Sequence, residues 1–232
     1  MKVEELVLRL ERVTVRYPGS SHPATCDCSL EVAHGERVAL LGANGSGKTS
    51  LLMAIVGLAP FAGSIRVNAI DVVKKNLSAV RDTIGFLFST PEDQILFPKV
   101  VNDVAFGLMR KGVSAGKAND QAREMLDQLE ASALAELAPH HLSHGQRLRV
   151  ALAGTLICKP PLLLLDEPST SLDTRGKKQL IRLLSSLPSA MLVATHDMEF
   201  ARRVCTRFVI LDEGRVQTVG TSWDVIQEQF GW

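Results

Sequence analysis

The sequence has little of what commits a chain to a membrane, an oxidising compartment or a nucleic acid. No apolar run reaches the roughly 20 residues that a membrane-crossing helix requires. The amino terminus, Met1-Lys2-Val3-Glu4-Glu5, is acidic where a secretory leader is basic, which predicts a cytosolic or peripheral protein. Cysteine is sparse. Cys26, Cys28, Cys158 and Cys205 include one C-x-C pair, no C-x-x-C and no histidine at metal spacing. That pattern argues against a metal site and predicts reduced, packed thiols. Charge is balanced, with 26 Lys and Arg against 25 Asp and Glu and a net charge of +1, so no basic excess is present to track nucleic-acid phosphates. There is no internal repeat, linker or low-complexity tract.

What is there is a chain of 232 residues, 46% hydrophobic and 22% charged, long enough to bury a substantial core. One stretch organises it. Gly42-Ala43-Asn44-Gly45-Ser46-Gly47-Lys48-Thr49 fits the pattern G-x-x-x-x-G-K-[ST]. Arg37 to Leu41 before it has strand character, and Ser50 to Leu58 after it is apolar at helical spacing, so the loop joins a strand to a helix. Glycines let successive backbone N–H groups turn toward phosphate oxygens. Lys48 supplies a cation for the β- and γ-phosphates, and Thr49 puts a hydroxyl where Mg²⁺ would sit. These features predict nucleotide phosphates and Mg²⁺ as ligands, with Ser50 at the loop's edge.

Leu6 to Leu10, Arg12 to Arg16, Ser29 to Val32 and Ser64 to Val67 alternate apolar with polar residues, predicting short half-buried antiparallel strands. Tyr17, the one tyrosine, follows the second; it either stacks on an adenine ring or packs as an ordinary aromatic. Thr83 to Phe88 reads as a buried strand entering the polar segment Ser89-Thr90-Pro91-Glu92-Asp93-Gln94. From Val100 to about Cys158 the pattern is helical. Ser114 to Ala131 places Ala118, Ala122, Met125, Leu126 and Leu129 on one face, predicting a helical subdomain over about 99–160. Leu142-Ser143-His144-Gly145-Gln146-Arg147 opens a further helix, with Ser143 as its N-cap. Such a helix start is also a ready anion site.

Pro161 is followed by four leucines and then Asp166-Glu167, the pattern of a strand buried in a parallel sheet. Ligands of open α/β sheets bind at the carboxyl ends of strands. The two carboxylates therefore either cap the next element or emerge beside the phosphate loop. In the second case Asp166 suits Mg²⁺, and Glu167 suits accepting a proton from the water that attacks the γ-phosphate. Met191 to Thr195 is another buried strand with His196-Asp197 at the same edge. His196 is either structural or a hydrogen-bond donor to the γ-phosphate. Arg207 to Leu211 predicts a strand, Asp212-Glu213-Gly214 a turn, and Ser222 to Phe230 a closing helix.

Together the phosphate loop, LSHGQ, LLLLDEP, SLD and THD, in that order, resemble the nucleotide-binding subunit of ATP-binding-cassette transporters, over nearly the whole chain. The resemblance implies one α/β ATPase domain over 1–232: a P-loop core with a mostly parallel sheet, an N-terminal antiparallel β subdomain and the inserted helical subdomain. It implies that Tyr17 stacks on adenine, that Gly42 to Thr49 bind phosphates and Mg²⁺, that Asp166 belongs to the metal motif and that Glu167 is the general base. Ser171-Leu172-Asp173 would cross between subunits, and His196 would sense the γ-phosphate. Leu142 to Gln146, including Ser143, His144 and Gly145, would complete the site of a second chain, so that a homodimer or a pair of related subunits sandwiches two ATP molecules head to tail. Pro91-Glu92-Asp93-Gln94 with Asn102 to Gly107 is similar to energy-coupling-factor importers of cobalt, nickel and vitamins. This implies membrane transporter subunits docking on Ser89 to Phe106, at the cytoplasmic face of a bacterial or archaeal inner membrane, with no direct nucleic-acid partner. The competing reading is a non-transport ATPase switch acting on nucleic acid or ribosomes, which normally carries coiled-coil insertions or two cassettes. Two positions depart from the family pattern. His144 stands where glycine is usual, and Ser89 where a coupling glutamine is usual. The shorter Ser89 is expected to act only through a water, with Gln94 belonging to the membrane-subunit groove.

Overall fold

A computed structural model describes residues 5–170 and 172–220. The first four residues, Ser171 of the Ser171-Leu172-Asp173 segment and the helix expected over Ser222 to Phe230 lie outside the described residues. Two sheets are layered with helices. The first, in the order β2 (Thr25–Ala33), β1 (Leu6–Val15), β4 (Phe61–Val67) and β5 (Ile70–Asp71), is antiparallel throughout. The second runs β10 (Arg215–Gly220), β9 (Arg207–Asp212), β3 (Arg37–Leu41), β8 (Ala190–Thr195), β7 (Leu162–Asp166), β6 (Ile84–Leu87). It is parallel from β9 to β6, and only β10 pairs antiparallel.

The parallel sheet is a septum between two cores, which is why its strands read as unbroken apolar runs. Leu163 and Leu165 of β7, Ala39 and Leu41 of β3, and Met191 and Val193 of β8 face one core. Leu162 and Leu164, Val38 and Leu40, and Leu192 and Ala194 face the other. Alternate side chains of a strand point to opposite faces, so apolar residues at every position mean burial on both. Each fully buried leucine contributes about 1.5–3 kcal/mol. One core holds α1 (Lys48–Ile55) and the antiparallel sheet. The other holds α3 (Val100–Arg110), α4 (Ala115–Gln128), α5 (His144–Leu156), α6 (Thr174–Ser186) and α7 (Met198–Val204). The short α2 (Leu77–Asp82) leads into β6.

Two local expectations need correction. Leu6 to Leu10 and Arg12 to Arg16 are one strand, β1, not two. The register shifts between Leu10 and Val13, Arg12 takes a left-handed φ of 51°, and its N–H donates to Ser29 Oγ at 3.0 Å. A bulge absorbs the phase change without breaking the strand. The helix expected over Ser114 to Ala131 ends at Gln128, because Glu130 turns left-handed at φ 53°. Ala118, Ala122 and Leu126 form its buried face.

Candidate nucleotide site

The phosphate loop is shaped by what presses on it. A Cβ on Gly42 would stand 2.3 Å from the Leu211 carbonyl oxygen, and one on Gly47 2.3 Å from that of Ala24. Gly47 also holds φ at 101°, which a side chain would strain. The ends of β9 and β2 thus close in on the loop, and the Gly214 N–H donates to the Ser46 carbonyl at 3.1 Å. Lys48, buried at the start of α1, donates to the carbonyls of Gly42 at 2.7 Å and Ala43 at 3.0 Å. Its ammonium lies 3.6 Å from Glu167 Oε1. Tyr17 is half exposed at the end of β1, and its hydroxyl donates to Ser50 Oγ at 3.3 Å. The ring is thereby tethered beside the loop.

The carboxyl ends of β7 and β8 supply the acidic side. Asp166 is 1% exposed and accepts from the Thr49 hydroxyl at 2.8 Å. Burial raises its pKa, as does the neighbouring Glu167 charge; hydrogen bonds from Thr49 and Ser89, and the Lys48 charge, work the other way. Ser89, exposed after the end of β6, is near enough to Asp166 to favour its charged form. Glu167 takes a left-handed φ of 48°, a conformation that costs a non-glycine residue about 1–3 kcal/mol and marks functional sites. Its N–H donates to the Ala194 carbonyl at 2.8 Å. Its Oε2 accepts from the Thr195 hydroxyl at 3.0 Å and the His196 N–H at 3.4 Å, and lies 3.0 Å from His196 Nδ1. Three buried oxygens, Ser46 Oγ, Asp166 Oδ1 and Glu167 Oε1, have no hydrogen-bond partner.

A cation and a phosphate would satisfy those orphaned atoms. A buried polar oxygen without a partner is costly unless a ligand satisfies it. Among the described residues no group of three or more His, Cys, Asp or Glu could hold a metal. One hydroxyl and one carboxylate are the donor set of Mg²⁺, which keeps waters and takes phosphate oxygens for the remainder. The residues present fit both groups.

The structure links Thr49 to Asp166, and Lys48 and His196 to Glu167, with Ser89 beside Asp166. The start of α5 makes no described hydrogen bond to these residues. Ser143 Oγ accepts from the Gln146 N–H at 3.4 Å while Gln146 Oε1 accepts from the Ser143 N–H at 2.8 Å, a reciprocal capping box. His144 Nδ1 lies 3.4 Å from Glu92 Oε1, which also accepts from Arg147 Nη1 at 2.7 Å. The Arg147 hydrogen bond, outweighing some desolvation, holds the Glu92 carboxyl below its ordinary range. The side chains of His144 and Gln146 are engaged within this chain, whereas the backbone at His144 and Gly145 opens the helix.

Gln94, half-buried, spends its amide within the chain. Its Oε1 accepts from the Phe88 N–H at 3.3 Å, and its Nε2 donates to Thr155 Oγ1 at 3.0 Å and the Ala151 carbonyl at 3.3 Å. It fastens the end of β6 to α5. The role of Asp197 is not evident from the sequence: it caps α7 by accepting from the Phe200 N–H at 3.0 Å. Its Oδ2 accepts from Ser169 at 2.9 Å and Lys177 at 2.6 Å. Burial works against its charge, but these donors prevail and lower its pKa. The i, i+3 spacing of Asp197 and Phe200 was the only local signal; Ser169 and Lys177 are too distant in sequence to signal anything.

A glycine loop on a parallel sheet, a lysine inside it and two carboxylates at the end of β7, two strands away, define a phosphate-loop ATPase. A family model described as ABC transporter matches residues 26–170. A Gloeobacter violaceus protein named as an ABC transporter ATP-binding protein is 40% identical over 230 residues, covering 98% of this chain and 93% of its own. A Geobacter sulfurreducens protein of the same designation is 37% identical over 85% of this chain and 80% of its own. Among solved structures, cbiO1 from Clostridium perfringens, part of the ABC transporter complex cbiONQ, aligns with TM-score 0.83 at 29% identity, over 97% of this chain and 92% of its own. A dimeric cassette in a post-hydrolysis state with ADP and Pi aligns with TM-score 0.84 at 28% identity, over 92% and 98% of the two chains. The chain belongs to the ABC transporter ATP-binding proteins and is an ATPase subunit of that family.

Proposed function

We propose that this chain powers an energy-coupling-factor type importer of cobalt or nickel ions or a vitamin, from the cytoplasmic face of the membrane. Its 232 residues act as one ATPase domain with 99–160 as the helical subdomain. The observation that carries the ATPase chemistry is the convergence of Lys48, Thr49, Asp166 and Glu167 around buried oxygens that lack partners. Thr49 and Asp166 would hold Mg²⁺, which neutralises charge on the phosphates when bound. Lys48 moves its ammonium from the Gly42 and Ala43 carbonyls to the β- and γ-phosphates. Tyr17, tethered by Ser50, lies against the adenine. Glu167 Oε1 accepts a proton from the attacking water as its oxygen bonds to the γ-phosphorus and the bond to the β-phosphate oxygen breaks. His196 donates to the γ-phosphate oxygens. The N-terminus of α5, with Ser143, Gly145 and the helix dipole, closes over the γ-phosphate of a second subunit, a copy or a relative, and loses that partner on hydrolysis.

The importer reading is supported by similarity to cbiO1, part of the cbiONQ complex, and by the surface after β6. Leu96 is 79% and Phe106 46% exposed, Phe106 lies 5.1 Å from the Phe97 ring, and Asp103 Oδ1 accepts from the Leu96 and Phe97 N–H groups. An apolar surface held rigid in this way suits a membrane subunit's cytoplasmic helix. No helix among the described residues is long and apolar enough to cross a membrane, so a transport function requires such a partner. The test is purification of the tagged chain from membranes of its own host, followed by ATP-driven uptake of cobalt, nickel and vitamins in vesicles. A membrane partner with uptake of one cargo supports the reading; recovery with ribosomes or nucleic acid and no membrane partner overturns it.

A further inference from the structure

Thr195 is the last residue of β8 and is fully buried. The parallel register sets it beside Leu41, immediately before the phosphate loop. Its hydroxyl stands between two groups: the Asp197 N–H donates to Thr195 Oγ1 at 3.0 Å, and Thr195 Oγ1 donates to Glu167 Oε2 at 3.0 Å. A hydroxyl carries one proton and an ionised carboxylate carries none, so with Asp197 donating from one side the proton is committed to Glu167. The Asp197 backbone cannot turn away, because its own side chain is held by Ser169, Lys177 and the Phe200 N–H.

The consequence falls on Glu167. Its Oε2 faces Thr195 and His196, whereas Oε1 has no hydrogen bond and points toward Lys48. Of the donors at Oε2, the His196 ring is half exposed and able to leave; the Thr195 hydroxyl is enclosed. We infer that Thr195 is a positioning residue, which fixes the rotation of Glu167 so that Oε1 is the oxygen presented to the attacking water. This rests on the assignment of Glu167 as the general base. It predicts that the alignment survives any movement of His196.

The experiment compares the full chain with Thr195→Val, which keeps shape and loses the hydroxyl, Thr195→Ser, which keeps the hydroxyl, and Glu167→Gln. Loss of a hydrogen bond to a charged group corresponds to roughly 10- to 100-fold. Thr195→Val is expected to lower kcat by that factor with KM for ATP within twofold. Thr195→Ser should recover turnover to within about threefold. Hydrogen exchange at the Asp197 N–H should accelerate in Thr195→Val and stay protected in Thr195→Ser, a readout independent of turnover. A Thr195→Val kcat within twofold of the parent, beside an inactive Glu167→Gln, overturns this inference alone. A Glu167→Gln chain with parental turnover overturns the general-base reading as well. Failure of Thr195→Ser to restore kcat would show that the hydroxyl alone does not sustain turnover and would refute its positioning role. If Thr195→Val does not fold, Thr195→Ala is the hydroxyl-free variant, judged by the same thresholds.

Discussion

Replacing Glu167 by glutamine separates the chemistry of this site from its binding. The amide keeps the volume of the carboxyl, and its carbonyl oxygen can take the position of Oε2, accepting from Thr195 and the His196 N–H as the carboxylate does. The amino group then occupies the position of Oε1, the oxygen without a hydrogen bond. The lone pair of an amide nitrogen is delocalised into its carbonyl and takes no proton, so hydrolysis should fall by about 10²- to 10⁴-fold, equivalent to about 3–5 kcal/mol in the barrier. Binding should move the other way. The Lys48 ammonium lies 3.6 Å from Oε1, an attraction between about 1 kcal/mol in bulk water and about 5 kcal/mol at an effective dielectric near 20, and ATP must draw Lys48 off this competitor. Without it, Lys48 is freer for phosphate and one negative charge near the γ-phosphate is gone. Glu167→Gln should therefore bind ATP at least as tightly as the parent. Single-turnover hydrolysis and equilibrium titration on the same preparation check both halves. Hydrolysis within a few-fold of the parent refutes the base; clearly weaker ATP binding refutes the picture of Lys48 shared between Glu167 and phosphate.

Asp166→Asn should raise the melting temperature of the nucleotide-free chain by a few degrees while removing Mg²⁺-dependent hydrolysis. Burial raises the pKa of Asp166, so its charged form opposes folding above that raised pKa and the penalty is relieved as pH falls through it; thermal melts at neutral and acid pH test the sign. Mixing inactive Lys48→Ala with inactive Ser143→Arg chains should restore some ATPase activity, because one composite site keeps both intact halves; none in mixed dimers of verified composition would sink the shared-site reading. Gln94→Ala removes hydrogen bonds to Phe88, Ala151 and Thr155, worth about 2 kcal/mol in total and hence roughly 4–8 °C in melting temperature. A fall under about 1 °C would mean that Gln94 is no fastener.

What was legible in the sequence was local or periodic. The run Leu162 to Leu165 declares a strand buried on both faces because leucines of both parities are needed to fill two cores. Ser143 declares a helix start because its partner, Gln146, lies three residues on. The bulge in β1 was not legible as such, since a strand break and an inserted residue shift the alternation equally. Only the Arg12 N–H to Ser29 Oγ bond and the continued pairing with β2 distinguish them. Nor could Pro91-Glu92-Asp93-Gln94 reveal which way it faces. Glu92 is held by Arg147 and Gln94 by Thr155, more than fifty residues away in each case. The same polar segment with different partners would have pointed outward.

The site depends on register more than on any single motif. Along β7 the even positions Leu162 and Leu164 face the core that contains α1, and the odd positions face the helical core. Asp166 continues the even series, and that parity is what brings its carboxyl to the Thr49 hydroxyl. Pairing of Asp166 with Ala194 sets Glu167 next to Thr195, whose own pairing with Leu41 holds the phosphate loop alongside. A slip of β7 by one residue would exchange the faces of all its side chains. Asp166 would enter the helical core without Thr49, and Glu167 would lose both Thr195 and the Ala194 carbonyl. Because β7 is apolar on both faces, hydrophobicity alone opposes such a slip weakly. What opposes it is the misfit of leucine volumes against the facing helices, together with two carboxylates driven into apolar surroundings without partners. The acidic pair at the strand's end therefore also fixes the register that places it.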